Sequence, residues 1–370
     1  MEWLLGILSS AFLVLSLHSL YRKYDVLSSF HPILPDTSRE IGLSIVLCTQ
    51  GHAPRLLSYI DKILSQKYSL YEIIVICKNT PAEILEELHK KSLEYEKLKV
   101  KNISILDLPY IEKKQALNYG ISLAKNEWIV TIDDDCYPKS EDWLTSISRH
   151  IQHFNSDILL GLSPYISQDG LLNQWIRFDA FNTAVNYLYF TIIGKPYMGI
   201  GRNMAFKKEL WSKEYLEQYK DLGSGDDTTL VNFYKSAKKI DVFIDSLVYS
   251  FPHTSYLAWV KQKLRHINKG RFLDKSIQKE LATPLLFTFL FWFCIWLWMS
   301  FFAFHFLIFL LILVFVLTKS FFYVKISKHI HWKSKPVLYT FLFDALHSFC
   351  VLIFPFLSIF IKIKWRSTRN

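Results

Sequence analysis

The chain has 370 residues, enough for one sizeable domain and further segments. Hydrophobic residues make up 51% and aromatics 16%, a composition rich for a purely soluble protein. The net charge of +10 does not point to nucleic acid, because much of the basic excess lies beside apolar segments: Lys319, Lys325, Lys328, Lys333 and Lys335, then Lys362, Lys364, Arg366 and Arg369. Clusters so placed are expected to hug anionic lipid on the cytoplasmic face. The five cysteines have no paired spacing and read as small buried hydrophobes, not staples or zinc ligands.

The first element is the apolar stretch Trp3–Leu20. It has no basic region before it and no clear small-x-small cleavage site, so a retained transmembrane anchor over 1–20 is favoured over a signal peptide. Arg22 and Lys23 follow at once, which places the next segment in the cytoplasm. Residues 21–42 read as a juxtamembrane linker.

From residue 43 the pattern changes to alternating strands and helices. "LSIVLC" (43–48), "YEIIVIC" (71–77), "KNISILDL" (101–108) and "EWIVTID" (127–133) are short apolar runs. "APRLLSYIDKILSQ", "AEILEELHKKSLEYEKL" and "KKQALNYGISLAK", with helical spacing of apolar residues, separate them. Continuous apolar strands joined by helices predict an α/β domain on a parallel sheet covered on both faces, with ligands at the carboxyl ends of its strands.

Three acids, Asp133-Asp134-Asp135, stand at one of those ends. A turn before "PKSEDWL" is one reading. In an extended segment alternate side chains share a side, so Asp133 and Asp135 would converge on one cation; oxygen ligands suit Mg²⁺ or Mn²⁺ shared with substrate phosphates. A second acidic pair, Asp226-Asp227, precedes "TTLVNFY", where Asp226 would cap a helix and Asp227 would face the crevice. "GIGRNMAF" (199–206) lacks the spacing of a phosphate loop; its glycines are expected to admit close backbone approach of donor or acceptor.

Residues 250–272 mix aromatics with Lys and Arg and read as an interfacial segment. Pro284–Leu317 contains no Asp, Glu, Lys or Arg, and is longer than the ~20 residues that cross a bilayer, so 284–317 is one long helix or a hairpin turning near Ser300–His305. Then come a basic loop, 319–336, a segment 337–361 that is transmembrane, re-entrant or interfacial, and a basic tail, 362–370.

These motifs, in this order, resemble membrane-anchored bacterial family 2 glycosyltransferases: "LSIVLCTQ", "YEIIVICKN", "EKKQALNYGISLAKNEWIVTIDDDCYPKSEDWL", "GIGRNMAFKKELW", "SGDDTTLVN" and "KQKLRH". The resemblance implies an α/β GT-A catalytic domain over 43–270, on a Rossmann-like mixed, mostly parallel sheet, flanked by transmembrane helices, in the cytoplasmic membrane of a bacterium with the catalytic domain inside. It implies that Asp133 and Asp135 hold the metal against the donor diphosphate. Thr49, Asn79, Lys113, Asn118 and Asn203 would border a nucleotide-sugar donor, a UDP-sugar by preference. Asp227 would be the general base beside Asp226, and Gln262 with Arg265 would match the Q-x-x-R-W signature. Two departures stand out: Cys77-Lys78-Asn79 occupies the place of a base-reading Asp, and His266 replaces the signature Trp. The implied reaction is inverting transfer to a lipid-linked glycan or glycolipid; a processive polysaccharide synthase and a catalytically silent membrane scaffold are the alternatives.

Overall fold

The computed structural model describes residues 2–34, 39–51, 54–103, 113–220, 225–270, 273–302, 306–333 and 336–360. Its first elements are α1 (Glu2–Ser29), β1 (Leu43–Gln50), α2 (Pro54–Leu64), β2 (Tyr71–Lys78), α3 (Ala82–Glu94) and β3 (Leu98–Asn102). Next come α4 (Lys113–Leu123), β4 (Trp128–Thr131), β5 (Cys136–Pro138), α5 (Trp143–Phe154), β6 (Ile158–Leu162), α6 (Leu171–Ile192) and β7 (Met204–Lys207). The chain continues with α7 (Lys213–Gln218), α8 (Asp226–Tyr234), β8 (Ile240–Ser250) and α9 (Tyr256–Gly270), then α10 (Lys275–Phe301), α11 (Phe306–His329) and α12 (Pro336–Phe360). Two units are distinguished: Pro32–Ile166 with Phe190–Phe251, and Met1–His31 with Ser167–Tyr189 and Pro252–Asn370.

The first unit is an α/β layer structure on one sheet of order β3-β2-β1-β4-β7-β6-β8-β5. β1 pairs in parallel with β2 (Leu43↔Tyr71) and with β4 (Leu43↔Trp128), and β2 pairs in parallel with β3. β7 enters antiparallel between β4 and β6. Ile73, Ile74, Val75 and Ile76 of β2 are fully buried on alternating faces, so the strand needs cover on both sides; each such side chain stabilises the fold by roughly 1.5–3 kcal/mol. α4 supplies cover at close range. A Cβ on its Gly120 would lie 2.6 Å from Val46 Cγ1, so only glycine lets the helix come this near β1. That approach sets Lys113, at the start of α4, beside the carboxyl edge of the sheet.

The third strand differs from its sequence expectation. It runs over Leu98–Asn102 instead of 101–108, because Ile73 N–H and Ile103 N–H fix its register on Lys97 and Cys77 carbonyls; residues 104–108 lie outside the described residues. The acids at the end of β4 are not extended either. Cys136 N–H donates to the Asp133 carbonyl at 3.1 Å, closing a turn that leads into β5.

The second unit is helical. Among the described residues α1, α10 and α11 are long and apolar enough to cross a membrane. Leu13, Phe291, Ile295, Trp298, Ile308 and Phe315 pack together as their common core. α10 ends at Phe301 and α11 begins at Phe306, so the charge-free run is divided between two helices. The basic segment expected as a loop from 319 is helical through His329: Lys319 is buried and paired with Asp344 of α12, and nothing in "TKSFFYVKISKH" breaks the helix. α12 is continuous over Pro336–Phe360, and the tail 362–370 lies outside the described residues. Residues 167–189 and 252–270, which the expected 43–270 domain would include, cluster with this helical unit.

Candidate active site

The site is assembled at the carboxyl ends of β1 and β4. Thr49, near the end of β1, is buried, and its Oγ1 donates to Asp134 Oδ2 at 3.0 Å. This bond ties the middle acid of the turn to the neighbouring strand. Lys113 reaches in from α4, with Nζ 2.5 Å from Asp133 Oδ1. Burial opposes the charge on Lys113, but Asp133 more than offsets it, with Asp227 adding to the same field, and the ammonium is held charged well above the usual lysine range.

Asp227 stands on the first turn of α8. Gly225 precedes the helix at φ 96°, a left-handed conformation suited to glycine, and it occupies the N-cap position. The capping role expected for Asp226 is therefore overturned: Asp226 is inside the helix, buried, with Oδ1 3.6 Å from Lys114 Nζ. Asp227 Oδ2 accepts from Gly201 N–H at 3.0 Å, and Oδ1 accepts from Thr228 N–H at 2.7 Å. The glycines of "GIGRNMAF" thus serve this carboxylate. A Cβ on Gly199 would lie 2.6 Å from the Asp227 carbonyl oxygen, so the close backbone approach expected for a ligand is made by α8 itself.

Arg202, in the same loop, went unnoticed in the sequence. Its guanidinium lies 4.6 Å from the Tyr165 ring centroid. Burial works against its charge, while Tyr165, Cys136, Asp135 and Asp133 sustain it. The one available signal was a lone arginine inside a glycine-rich stretch. Lys114 was missed too, since two consecutive lysines look like a solvated helix face; they divide instead between Asp133 and Asp226.

Other candidates have different surroundings. Asn203 is fully buried: its Nδ2 donates to the Leu162 and Ser246 carbonyls at 2.8 and 3.3 Å, and its Oδ1 accepts from Trp143 Nε1 at 2.9 Å. An amide so committed is unavailable to a sugar, which corrects its assignment as a donor ligand. Asn118 is exposed on α4 and accepts from Trp211 Nε1 at 3.0 Å. Asn79 is exposed just after β2 at φ 49°, a conformation asparagine tolerates better than most residues. Gln262 and Arg265 lie on α9 of the helical unit. Burial first, with nearby carboxylates adding to it, pushes the Cys48 thiol up to about 12, and burial does the same for Cys77, so neither is a nucleophile.

Residues 44–213 match the sequence model of glycosyl transferase family 2. This stretch is a family 2 glycosyltransferase domain. No curated protein matches the chain. Among solved structures, the mannosyltransferase PcManGT from Pyrobaculum calidifontis, in complex with GDP-Man and Mn²⁺, is similar at 14% identity and TM-score 0.58; the likeness covers 90% of this chain and 100% of that one. S. aureus TarS 1–349 in complex with UDP-GlcNAc is similar at 12% identity and TM-score 0.43, covering 84% of this chain and 89% of that one. The first of these likenesses shows a common GT-A fold.

The transferase domain presents a donor set that fits a divalent cation. Asp133 and Asp135 both lie within electrostatic reach of the Arg202 guanidinium, so their charges share one neighbourhood. Among the described residues no three His, Cys, Asp or Glu side chains gather into a cluster. Two carboxylates suit Mg²⁺ or Mn²⁺, which complete their coordination with substrate phosphates and water.

Proposed function

We propose that the transferase moves a sugar, with inversion, from a nucleotide-sugar donor to a lipid-linked glycan or glycolipid at the cytoplasmic face of a bacterial inner membrane. One observation supports this above the rest: Asp133, Lys113 and Asp227, from three separated stretches of sequence, meet in one electrostatic field at one edge of the sheet.

Asp133 and Asp135 would hold a divalent cation that, with the donor diphosphate bound, supplies Lewis-acid neutralisation of the leaving charge. Lys113 and Arg202 add fixed positive charge to the same place, which costs no reorganisation at the moment of reaction. Asp227, oriented by the Gly201 and Thr228 N–H groups, takes the proton from an acceptor hydroxyl. That hydroxyl oxygen forms the new bond to the anomeric carbon as the bond to the diphosphate oxygen breaks, and the nucleoside diphosphate leaves. A single displacement of this kind inverts the anomeric centre, and the base accelerates it by ~10²–10⁴-fold. By resemblance, Gln262 and Arg265 are assigned to donor and acceptor recognition. Both UDP- and GDP-sugars are candidate donors, the second because PcManGT was solved with GDP-Man. The helices α1, α10 and α11 support a membrane-held acceptor.

The test is a transfer assay on protein in liposomes that carry lipid-linked acceptors, supplied with a panel of nucleotide-sugars and Mn²⁺. Transfer with an inverted anomeric linkage, abolished by Asp227→Asn, is the expected result. A retained configuration, transfer to free sugar alone, or an intact Asp227→Asn enzyme contradicts the reading.

A further inference from the structure

The helical unit contains a partly open cavity of about 210 Å³ that the reaction chemistry does not use. Its wall is mixed: Leu20, Leu281, Leu285, Val351 and Phe354 are apolar, and Lys23, Lys263, Lys319, Asp179 and His347 are polar or charged. Lys263 pairs with Asp179 at 2.6 Å, Asp179 also meets His347 at 3.3 Å, and Lys319 pairs with Asp344. Lys23 donates to the Asn186 Oδ1 at 2.7 Å and has no carboxylate partner among the described residues. The three lining lysines are thus matched by two aspartates, Asp179 of the wall and Asp344, an excess of one positive charge. Lys23 and Lys319 also lie close enough to repel each other. A half-buried ammonium without a carboxylate partner is costly, and an anion in the cavity offsets that cost.

The level of the cavity along the helices narrows the choice of anion. On α1 it is lined from Ser16 to Lys23, where the apolar run ends. On α10 it is lined from Leu281 to Thr288, where the charged opening turns give way to the charge-free run. On α11 it is lined by Lys319 and Tyr323, just past the end of that run at Leu317. All three candidate membrane spans therefore contribute at their hydrocarbon–headgroup boundary, where lipid phosphates lie. Hydrogen-bonding groups stand at the same level: Ser16 and Thr288 share a bond at 2.7 Å, and the buried indole N–H of Trp259 has no partner among the described residues.

The geometry points to a lipid-phosphate site: the phosphoryl headgroup of a membrane lipid meets the lysines of the cavity wall, and its hydrocarbon chain follows the wall's apolar residues. The lipid phosphate belongs either to the lipid carrier of the acceptor glycan or to a bound phospholipid; its identity as that carrier rests on the proposed function, whereas the binding itself does not.

Native mass spectrometry of the full-length protein from phosphatidylcholine nanodiscs, doped with a polyprenyl monophosphate or with phosphatidic acid, tests this. One phosphate lipid is expected to be retained about tenfold or more in preference to phosphatidylcholine. Lys23→Gln removes the preference, and Lys23→Arg, which keeps the charge, restores it. Retention that favours the polyprenyl phosphate identifies the lipid carrier to which the acceptor glycan is linked, and retention that favours phosphatidic acid identifies a structural lipid. Equal retention of phosphatidylcholine overturns the inference, as does competition by inorganic phosphate alone. So does an unchanged preference in a Lys23→Gln protein that melts as the wild type does in phosphatidylcholine. Donor binding, measured separately on the same samples as stabilisation by nucleotide with Mn²⁺, keeps failure of this site distinct from failure of the transferase reading.

Discussion

Lys113 Nζ lies 2.5 Å from Asp133 Oδ1, so the lysine occupies one of the carboxylates assigned to the cation. Protein ammonium and divalent ion compete for the same oxygen until the donor diphosphate brings enough negative charge for both. Lys113→Gln is therefore expected to tighten Mn²⁺ binding by the donor-free protein by about fivefold or more, since a nearby unit charge is worth ~1–4 kcal/mol at such range. The same change lowers kcat/KM for the donor. Calorimetric Mn²⁺ titration without donor checks the first effect, and weaker binding there would contradict the competition.

Gly199 tests how Asp227 is positioned. A methyl group added there must push away the Asp227 carbonyl, 2.6 Å distant, and the Gly201 N–H bond to the carboxylate shifts with it. Gly199→Ala is expected to reduce kcat by roughly 10–10²-fold, the scale of a ~1 Å misplacement, with a smaller change in donor KM. Steady-state kinetics decide this; an effect confined to KM would return the loop to a ligand-contact role.

Asn203 is expected to behave as a core residue. Asn203→Ala strands the Trp143 indole N–H and leaves the Leu162 and Ser246 carbonyls without its amide, and the loss is about 2–4 kcal/mol for buried groups left unsatisfied. Thermal unfolding in detergent shows a lowered Tm, and the folded fraction keeps its donor KM. A raised KM at unchanged Tm would restore the sugar-contact assignment.

Glu72 gives the α/β unit an acid limit. Burial opposes its ionisation, but the Lys99 ammonium, the Lys125 N–H and the Ser44 hydroxyl more than compensate, and its carboxyl lies below the usual range. A depressed carboxyl contributes stability above its unfolded value of about 4.3, and that contribution fades as pH falls through the folded value. Glu72→Gln is expected to cost about 1–3 kcal/mol at pH 7 and progressively less below about pH 4. A Tm difference that stays constant with pH would rule the charge out as the cause.

The first half of the α/β unit was legible because its strands are continuous apolar runs separated by amphipathic helices, as in β1, α2 and β2. The second half was not. β5 has three residues, and β7 acquires its place only by antiparallel pairing with β4 and β6, far away in sequence. The residue types at the site were readable, but their roles depended on local geometry. The acids of 133–135 curl into a turn, Asn203 is turned inward by Trp143, and Asp227 is held by a glycine loop that looked like ligand-binding chain. Lys319 resembled the start of a basic loop because its buried partner, Asp344, lies on another helix.

Thermal stabilisation by nucleoside diphosphates, with and without Mn²⁺, tests most directly whether Asp133 and Asp135 join a cation to a nucleotide. A saturating ligand at about 100 times its Kd should add ~2.7 kcal/mol to the wild type, only when Mn²⁺ is present. Asp133→Asn and Asp135→Asn should each abolish that gain. Equal stabilisation of both variants, or of the wild type with no metal, would contradict the account.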